Sequence, residues 1–301
     1  MLQQGLQALI DGLLTGGIYA MVGAGLSLVF GVMRVVNFAH GALVALGMYG
    51  VLEVSTRTKM DPYVSLVVVL PVAFVVGFVL HRFVLRRLLD APEQSTLLAT
   101  LGVGLVVSNG LLLRFGAQPK TVFTESATAA YRLGDYSFSK LRLIAVLVTA
   151  VILAVLSLVL KKTALGRAIR ATAQNRMGAE LQGVDTPRIH AVVFGVGTVL
   201  AAAAGGLLLP LLYATPTVGE TFTYKAFVVT VLGGMGSLPG AIGGGLLLGV
   251  LESVGSSVLP LVPFLHNRFG SNYRDAYGLV AFLLVLLLRP DGLFGKNIKR
   301  T

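Results

Sequence analysis

A chain of 301 residues that is 55% hydrophobic and only 12% charged departs from soluble domains, in which about 25% of residues are charged. Without cysteine it has no disulfide, thiolate metal site or cysteine nucleophile, and its four histidines, at 40, 81, 190 and 266, show no HExxH or paired spacing. The net charge of +11 does not point to nucleic acid, because the bases lie between apolar stretches rather than along one polar face; in a membrane protein such an excess marks cytoplasmic loops.

The first apolar run, Gly12 to Met33, contains no acid, base or histidine. A bilayer core takes about 20 apolar helical residues, so this run predicts a membrane span. Met1–Ala8 lacks the Lys or Arg of a signal-peptide n-region, and the run is expected to be a retained first span. The next uncharged run, Gly41–Leu52, is only 12 residues, so a second span must begin near Asn37 and His40. Pro62–Leu80, Gln94–Leu113, Leu143–Leu160 and Ala191–Gly219 are further uncharged runs of spanning or near-spanning length. Ala226–Leu251 is uncharged over 26 residues but holds Pro239 and eight glycines. Glycine costs about 1 kcal/mol and proline about 3 in a helix interior, so two shorter segments broken around Gly233–Gly240 are expected. Irregular backbone at membrane depth survives only when buried in protein or lining a wet cavity, which marks the break as a candidate site.

Charge sets the sidedness. With the polar loop Lys161–Arg188 in the cytoplasm, alternation places 14 Lys and Arg inside and 10 outside, with the N-terminus outside and the C-terminus inside. The outer residues then fall at 51–61, 114–142, 220–225 and 266–275.

Four GxxxG pairs, Gly12–Gly16, Gly236–Gly240, Gly240–Gly244 and Gly245–Gly249, allow close helix approach; packing is the plainer reading and a place on the solute path the other. Asn37 and His40 lie three apart on one helical face, either capping the second span or facing a partner or cavity at depth. Glu252 follows the glycine-rich run, as a loop end or a pathway residue. Within Ala171–Gly183, Met177 and Leu181 are four apart and Arg176 and Glu180 form an i,i+4 pair of opposite sign. Gly183 is a natural helix stop, and Asp185 and Pro187 open the next segment. A short helix across the cytoplasmic face suits docking on a soluble partner, or rest on anionic lipid. No GxxxxGK[ST] phosphate loop, GxSxG elbow or pair of intramembrane acids is present.

The stretch Gly16-Gly-Ile-Tyr-Ala-Met-Val-Gly-Ala-Gly-Leu-Ser-Leu-Val-Phe-Gly-Val-Met-Arg-Val-Val-Asn-Phe-Ala-His-Gly41 resembles the branched-chain amino-acid ABC importer permeases of the LivH type. Gly166-Arg-Ala-Ile-Arg170, Val231-Leu-Gly-Gly-Met-Gly-Ser-Leu-Pro-Gly240 and Leu288-Arg-Pro-Asp-Gly-Leu293 match in order, so the resemblance covers roughly residues 5–295. It implies one membrane subunit working with a homologous permease, two ATPases that hold ATP and Mg, and an extracytoplasmic binding protein. It also implies that Ala171–Gly183 is a coupling helix in an ATPase cleft, through Ala173, Arg176, Met177, Glu180, Leu181 and Gly183. The loop departs from a Glu-Ala-Ala opening, having Ala171-Thr-Ala-Gln-Asn instead. Related urea permeases share much of the pattern; Phe38 leans toward the amino-acid branch.

The expectation is an all-α polytopic protein with about eight membrane segments, some broken or re-entrant. It forms one transmembrane domain over 1–301, with the coupling loop 161–188 within it, in a bacterial inner membrane. It would form half the path for Leu, Ile and Val, lined by Asn37, His40, Gly233, Gly234, Gly236 and Glu252. It is expected to be no enzyme and to hold no cofactor or metal. The alternatives are a permease for urea, short amides or other small amino acids, and an ATP-independent channel or facilitator.

Overall fold

The computed structural model describes residues 2–88, 91–122, 124, 129–133, 136–258, 274–289 and 292–293. The expected C-terminal tail, His266 and the outer loop around it lie outside these residues. The first apolar run folds as α1 (Leu2–Met33), which ends where Arg34 takes a positive φ of 53°. Residues 34–39 are not helical, and α2 (His40–Thr58) starts with His40 beside Val22, two-thirds of the way along α1. The second segment therefore begins at depth, inside the protein, rather than at the end of the first.

Asp61 accepts a hydrogen bond from the Tyr63 N–H and, with Pro62, starts α3 (Pro62–Phe83), which is followed by a short 3-10 turn at Leu85–Arg87. The remaining peripheral helices are α4 (Glu93–Phe115) and α5 (Lys140–Lys162). Between them lies the one departure from an all-helical chain among the described residues, a hairpin of β1 (Ala130–Leu133) and β2 (Tyr136–Ser139) with Ala130 opposite Ser139. The polar loop that follows carries α6 (Ala164–Gln174) and α7 (Arg176–Leu181), and α8 (Thr186–Leu208) starts with Asp185 accepting from the Arg188 N–H. The glycine-rich run is divided as expected, into α9 (Val218–Gly233) and α10 (Leu238–Val258); Gly234 and Gly236 take φ of 89° and 81° in the break. The last described helix is α11 (Arg274–Leu288).

Among the described residues six helices, α1, α3, α4, α5, α8 and α10, are long and apolar enough to cross a membrane. α1 and α8 form the interior, with 83% of their apolar windows buried, against 17–28% for α3, α4 and α5, which present apolar faces outward. The tightest crossing joins α1 to α10. A Cβ on Gly249 would stand 2.4 Å from Gly16 Cα, and one on Gly16 would stand 2.8 Å from the Gly245 carbonyl. Two GxxxG pairs thus face each other, and packing is their role here. Gly233 and Gly240 likewise meet backbone to backbone.

Of the segments expected on one side of the membrane, the N-terminal end of α1 and residues 114–142 come together. Arg142 pairs with Asp11 at 2.6 Å, Gln7 bonds Ser137, and Lys120 and Ala214 exchange backbone hydrogen bonds of 3.0 and 2.7 Å. The loop carrying α6 and α7 follows the opposite end of α5.

Two expectations need correction. Ala171–Gly183 is not one helix: α6 stops at Gln174 because the Asn175 side chain accepts from the Gly178 N–H and starts α7 afresh. Residues 220–225 are not an outer loop but the first turns of α9, and Lys225 is buried there. An ion pair hidden inside the fold let a charge sit where periodicity alone predicts a loop.

Candidate translocation groove and docking segment

Helices α2, α4 and α9 enclose an open groove of about 510 Å³, a size within the roughly 300–1,000 Å³ of small-molecule sites. Phe38 and Phe227 form its apolar floor, their ring centroids 5.1 Å apart. Ser108, Glu220 and Thr223 supply the polar groups. Thr223 is held in place: its hydroxyl contacts the Gly219 carbonyl at 3.0 Å and accepts from the Gly41 N–H at 3.1 Å. Gly41 and Gly219 permit this approach, since a Cβ on Gly41 would overlap the Gly219 carbonyl. A second cleft, of about 330 Å³ between α2, α3, α4 and α8, is almost wholly apolar, and its polar residues are engaged elsewhere: Tyr49 with the Ala214 carbonyl, Glu53 with Arg57 and Arg114, and Thr198 with the Phe194 carbonyl.

Asn37 and His40 flank this groove from behind. Asn37 is buried, and its Oδ1 accepts from the Ala39 N–H at 3.1 Å, closing the turn that opens α2. His40 is fully buried; its Nε2 donates to the Val22 carbonyl at 2.9 Å, which puts the hydrogen on that nitrogen. The residue between them, Phe38, reaches the groove and donates its N–H to Thr100 on α4 at 3.2 Å. Gly233, Gly234 and Gly236 are gathered at the break, away from the groove lining, where Leu293 donates its N–H to the Leu232 carbonyl at 2.8 Å.

Glu252 is fully buried, and no loop end. It accepts from the Tyr19 hydroxyl at 3.0 Å and pairs with Lys225, whose ammonium also bonds Asp275 at 2.7 Å and lies 4.8 Å from the centre of the Tyr19 ring. This cluster ties α1, α9, α10 and α11 together and does not line the groove. Sequence reading missed Glu220, Thr223 and Lys225. The available signal was the spacing Glu220, Thr223, Tyr224, Phe227, one helical face running across the charge at 225.

At the far end of α5, α7 presents two apolar side chains to solvent, Met177 (72% exposed) and Leu181 (81%). Beneath them Ala179 is buried and fixes the helix to the body. Arg176 bonds Glu180 at 3.1 Å, and Glu180 also accepts from Thr186 at the start of α8. These two partners, Thr186 foremost, hold the Glu180 carboxyl below its ordinary range. Gly183, at φ 79°, closes α7, with its N–H on the Glu180 carbonyl and that of Val184 on Ala179. Ala173 sits apart from the other expected docking residues, half-buried on α6.

The profile of a family described as "Branched-chain amino acid transport system / permease component" matches residues 8–288. The chain belongs to that permease family. It is 31% identical over 306 residues to the high-affinity branched-chain amino acid transport system permease protein BraD of Pseudomonas aeruginosa, covering 97% of this chain and 96% of BraD. The LivH permease protein of Escherichia coli K12 is 28% identical, with the same shares covered. A ribose import permease protein, RbsC of Haemophilus influenzae, matches more distantly, at 27% over 73% of this chain and 66% of its own length. The permease is an integral membrane protein, and these relatives are transport permease proteins.

Proposed function

We propose that this permease forms half of the path by which an ATP-driven importer carries leucine, isoleucine and valine across a bacterial inner membrane. The observation that supports ATP-driven transport over a self-sufficient channel is α7, a short helix braced against α8 while turning Met177 and Leu181 outward. A channel has no use for such an apolar pair on a polar end, whereas an ATPase cleft buries it. Arg176, Glu180 and Gly183 shape this docking segment, and Ala173 supports it from α6. ATP and Mg belong to two partner ATPases, and this chain holds no cofactor.

In this reading the groove of α2, α4 and α9 is the solute surface. An aliphatic side chain lies on Phe38 and Phe227 while Glu220, Ser108 and Thr223 meet the charged and polar end. A homologous second permease closes the groove over the sparsely packed α4. Asn37 and His40 hold Phe38 in position; Gly233, Gly234 and Gly236 supply the break that lets α9 and α10 shift; Glu252 braces that pair rather than touching solute. The N-terminal end faces outward toward a solute-binding protein, and the α6–α7 end faces the cytoplasm.

The test is uptake of labelled leucine into proteoliposomes holding the permease with its partner subunits. Replacing Met177 and Leu181 by Glu should abolish ATP-dependent uptake and co-purification of the ATPases while the permease still inserts. Leucine uptake by the permease alone, without ATPase or ATP, would refute the importer and favour a facilitator.

A further inference from the structure

We propose that the cavity between the basic end of α3 and the start of α8 binds the phosphate of an anionic phospholipid headgroup. The cavity holds about 250 Å³ and is lined by His81, Arg82, Arg86, Asp185, Pro187 and Arg188 among others. Three guanidiniums against one carboxylate favour an anion, and the carboxylate is already engaged: Asp185 accepts from the Arg188 N–H at 3.0 Å. Among the described residues, none of the three arginines is in an ion pair. The N-terminus of the 23-residue α8 opens on the same space and adds its positive end.

The independent observation is His81. Its side chain is 0% exposed, it forms part of the cavity wall, and neither ring nitrogen has a hydrogen-bond partner among the described residues. The neighbouring rings, those of His190 and Phe194, are 6.3 and 6.2 Å away between centroids, too far to substitute for a hydrogen bond. A buried polar group without a partner is costly, and a turn of the imidazole toward the cavity would let a phosphate oxygen supply one.

Position selects a lipid over a free anion. α3 has 22 residues and is about 33 Å long, matching a hydrocarbon core of about 30 Å, so Arg82 and Arg86 reach headgroup level. Val72, Val75, Val79 and Phe83 form an outward ridge, 43–63% exposed, that leads along the helix to these arginines. An acyl chain lies along this ridge while the phosphate enters the basic cavity, and basic pockets between helices recognise headgroups in this way.

The experiment uses the complex of this permease with its partner subunits, purified in mild detergent and stripped of lipid. Phosphatidylglycerol, phosphatidylcholine and inorganic phosphate are added separately, with bound lipid counted by native mass spectrometry and stability read from the thermal midpoint. Phosphatidylglycerol should bind and raise the midpoint, and phosphatidylcholine should not. Arg82→Gln with Arg86→Gln should weaken phosphatidylglycerol binding about thirtyfold, at roughly 1 kcal/mol per arginine. Arg188→Gln, at an exposed position, is the second variant should the first fail to fold, and should weaken binding about fivefold. Equal binding of the two lipids, or unchanged binding by Arg188→Gln, would overturn the proposal. The full midpoint rise from inorganic phosphate alone would overturn the lipid in favour of a free anion. Loss of the ATPases from the arginine variants with lipid binding intact would overturn it in favour of a protein contact.

Discussion

Replacing Lys225 by Met should be among the most damaging single changes in the permease. Lys225 and Glu252 have side chains only 5% and 1% exposed, so neither charge can regain water when its partner is lost. Breaking a buried pair from one side costs about 3–5 kcal/mol, because the remaining charge stays desolvated. The bond to Asp275 adds little, since that side chain is 60% exposed and such pairs contribute about 0–1 kcal/mol. The expected loss for Lys225→Met is therefore about 3–5 kcal/mol, and for Asp275→Asn under about 1. Adding Glu252→Leu to Lys225→Met removes the carboxylate that has lost its counter-ion and should recover about 2 kcal/mol of the loss. About 1–3 kcal/mol should remain, because the hydrogen bond from the Tyr19 hydroxyl to the Glu252 carboxylate is lost. Denaturant unfolding of the purified protein in detergent, arranged as a double-mutant cycle, measures these terms. If Lys225→Met lies within about 1 kcal/mol of the parent, or the double variant is no more stable than Lys225→Met, the buried-pair reasoning is wrong.

Three other outcomes are expected. Gly249→Leu should sharply lower folded yield, because even its Cβ stands 2.4 Å from Gly16 on α1; yield and thermal midpoint comparable to the parent would deny the close crossing. A cysteine introduced at the exposed Gln118 should react with an impermeant reagent from outside the cell and one at Gln174 only after permeabilisation, probes made clean by the absence of native cysteine. Because the folded protein holds Glu180 below its ordinary value, its stabilisation of α7 is complete above about pH 4.3 and is lost as pH falls through the lower folded value. The protection of the amides of residues 176–183, taken against their intrinsic exchange rates at each pH, should fall over that acid range in the parent but stay constant in Glu180→Gln.

Much of the fold was legible because a bilayer leaves few choices. An uncharged run of about 20 residues has to be helical, and Gly233, Gly234 and Gly236 before Pro239 had to break one. Two features escaped because pairwise contacts decide them. Lys225 looked like a loop charge until Glu252, far along the chain, supplied its counter-ion. Asn175 looked like part of a continuous helix, yet its side chain caps Gly178 and divides α6 from α7. The groove was half visible: Asn37 and His40 marked the right turn, but their own polar atoms are taken up by Ala39 and Val22, and it is Phe38 between them that faces the open space.

The crossing of Gly12 and Gly16 over Gly245 and Gly249 also governs how the molecule is made. The two halves of that contact are 229 residues apart for Gly16 and Gly245, so at ribosomal rates of about 5–20 residues per second α1 is threaded into the bilayer roughly 10–50 s before its closest companion exists. During that interval the glycine face of α1 meets lipid or the insertion machinery, and the interior can close only after α10 arrives. Synthesis that stops anywhere before Gly245 leaves the central helix without its main neighbour, and the close α1–α10 contact cannot form.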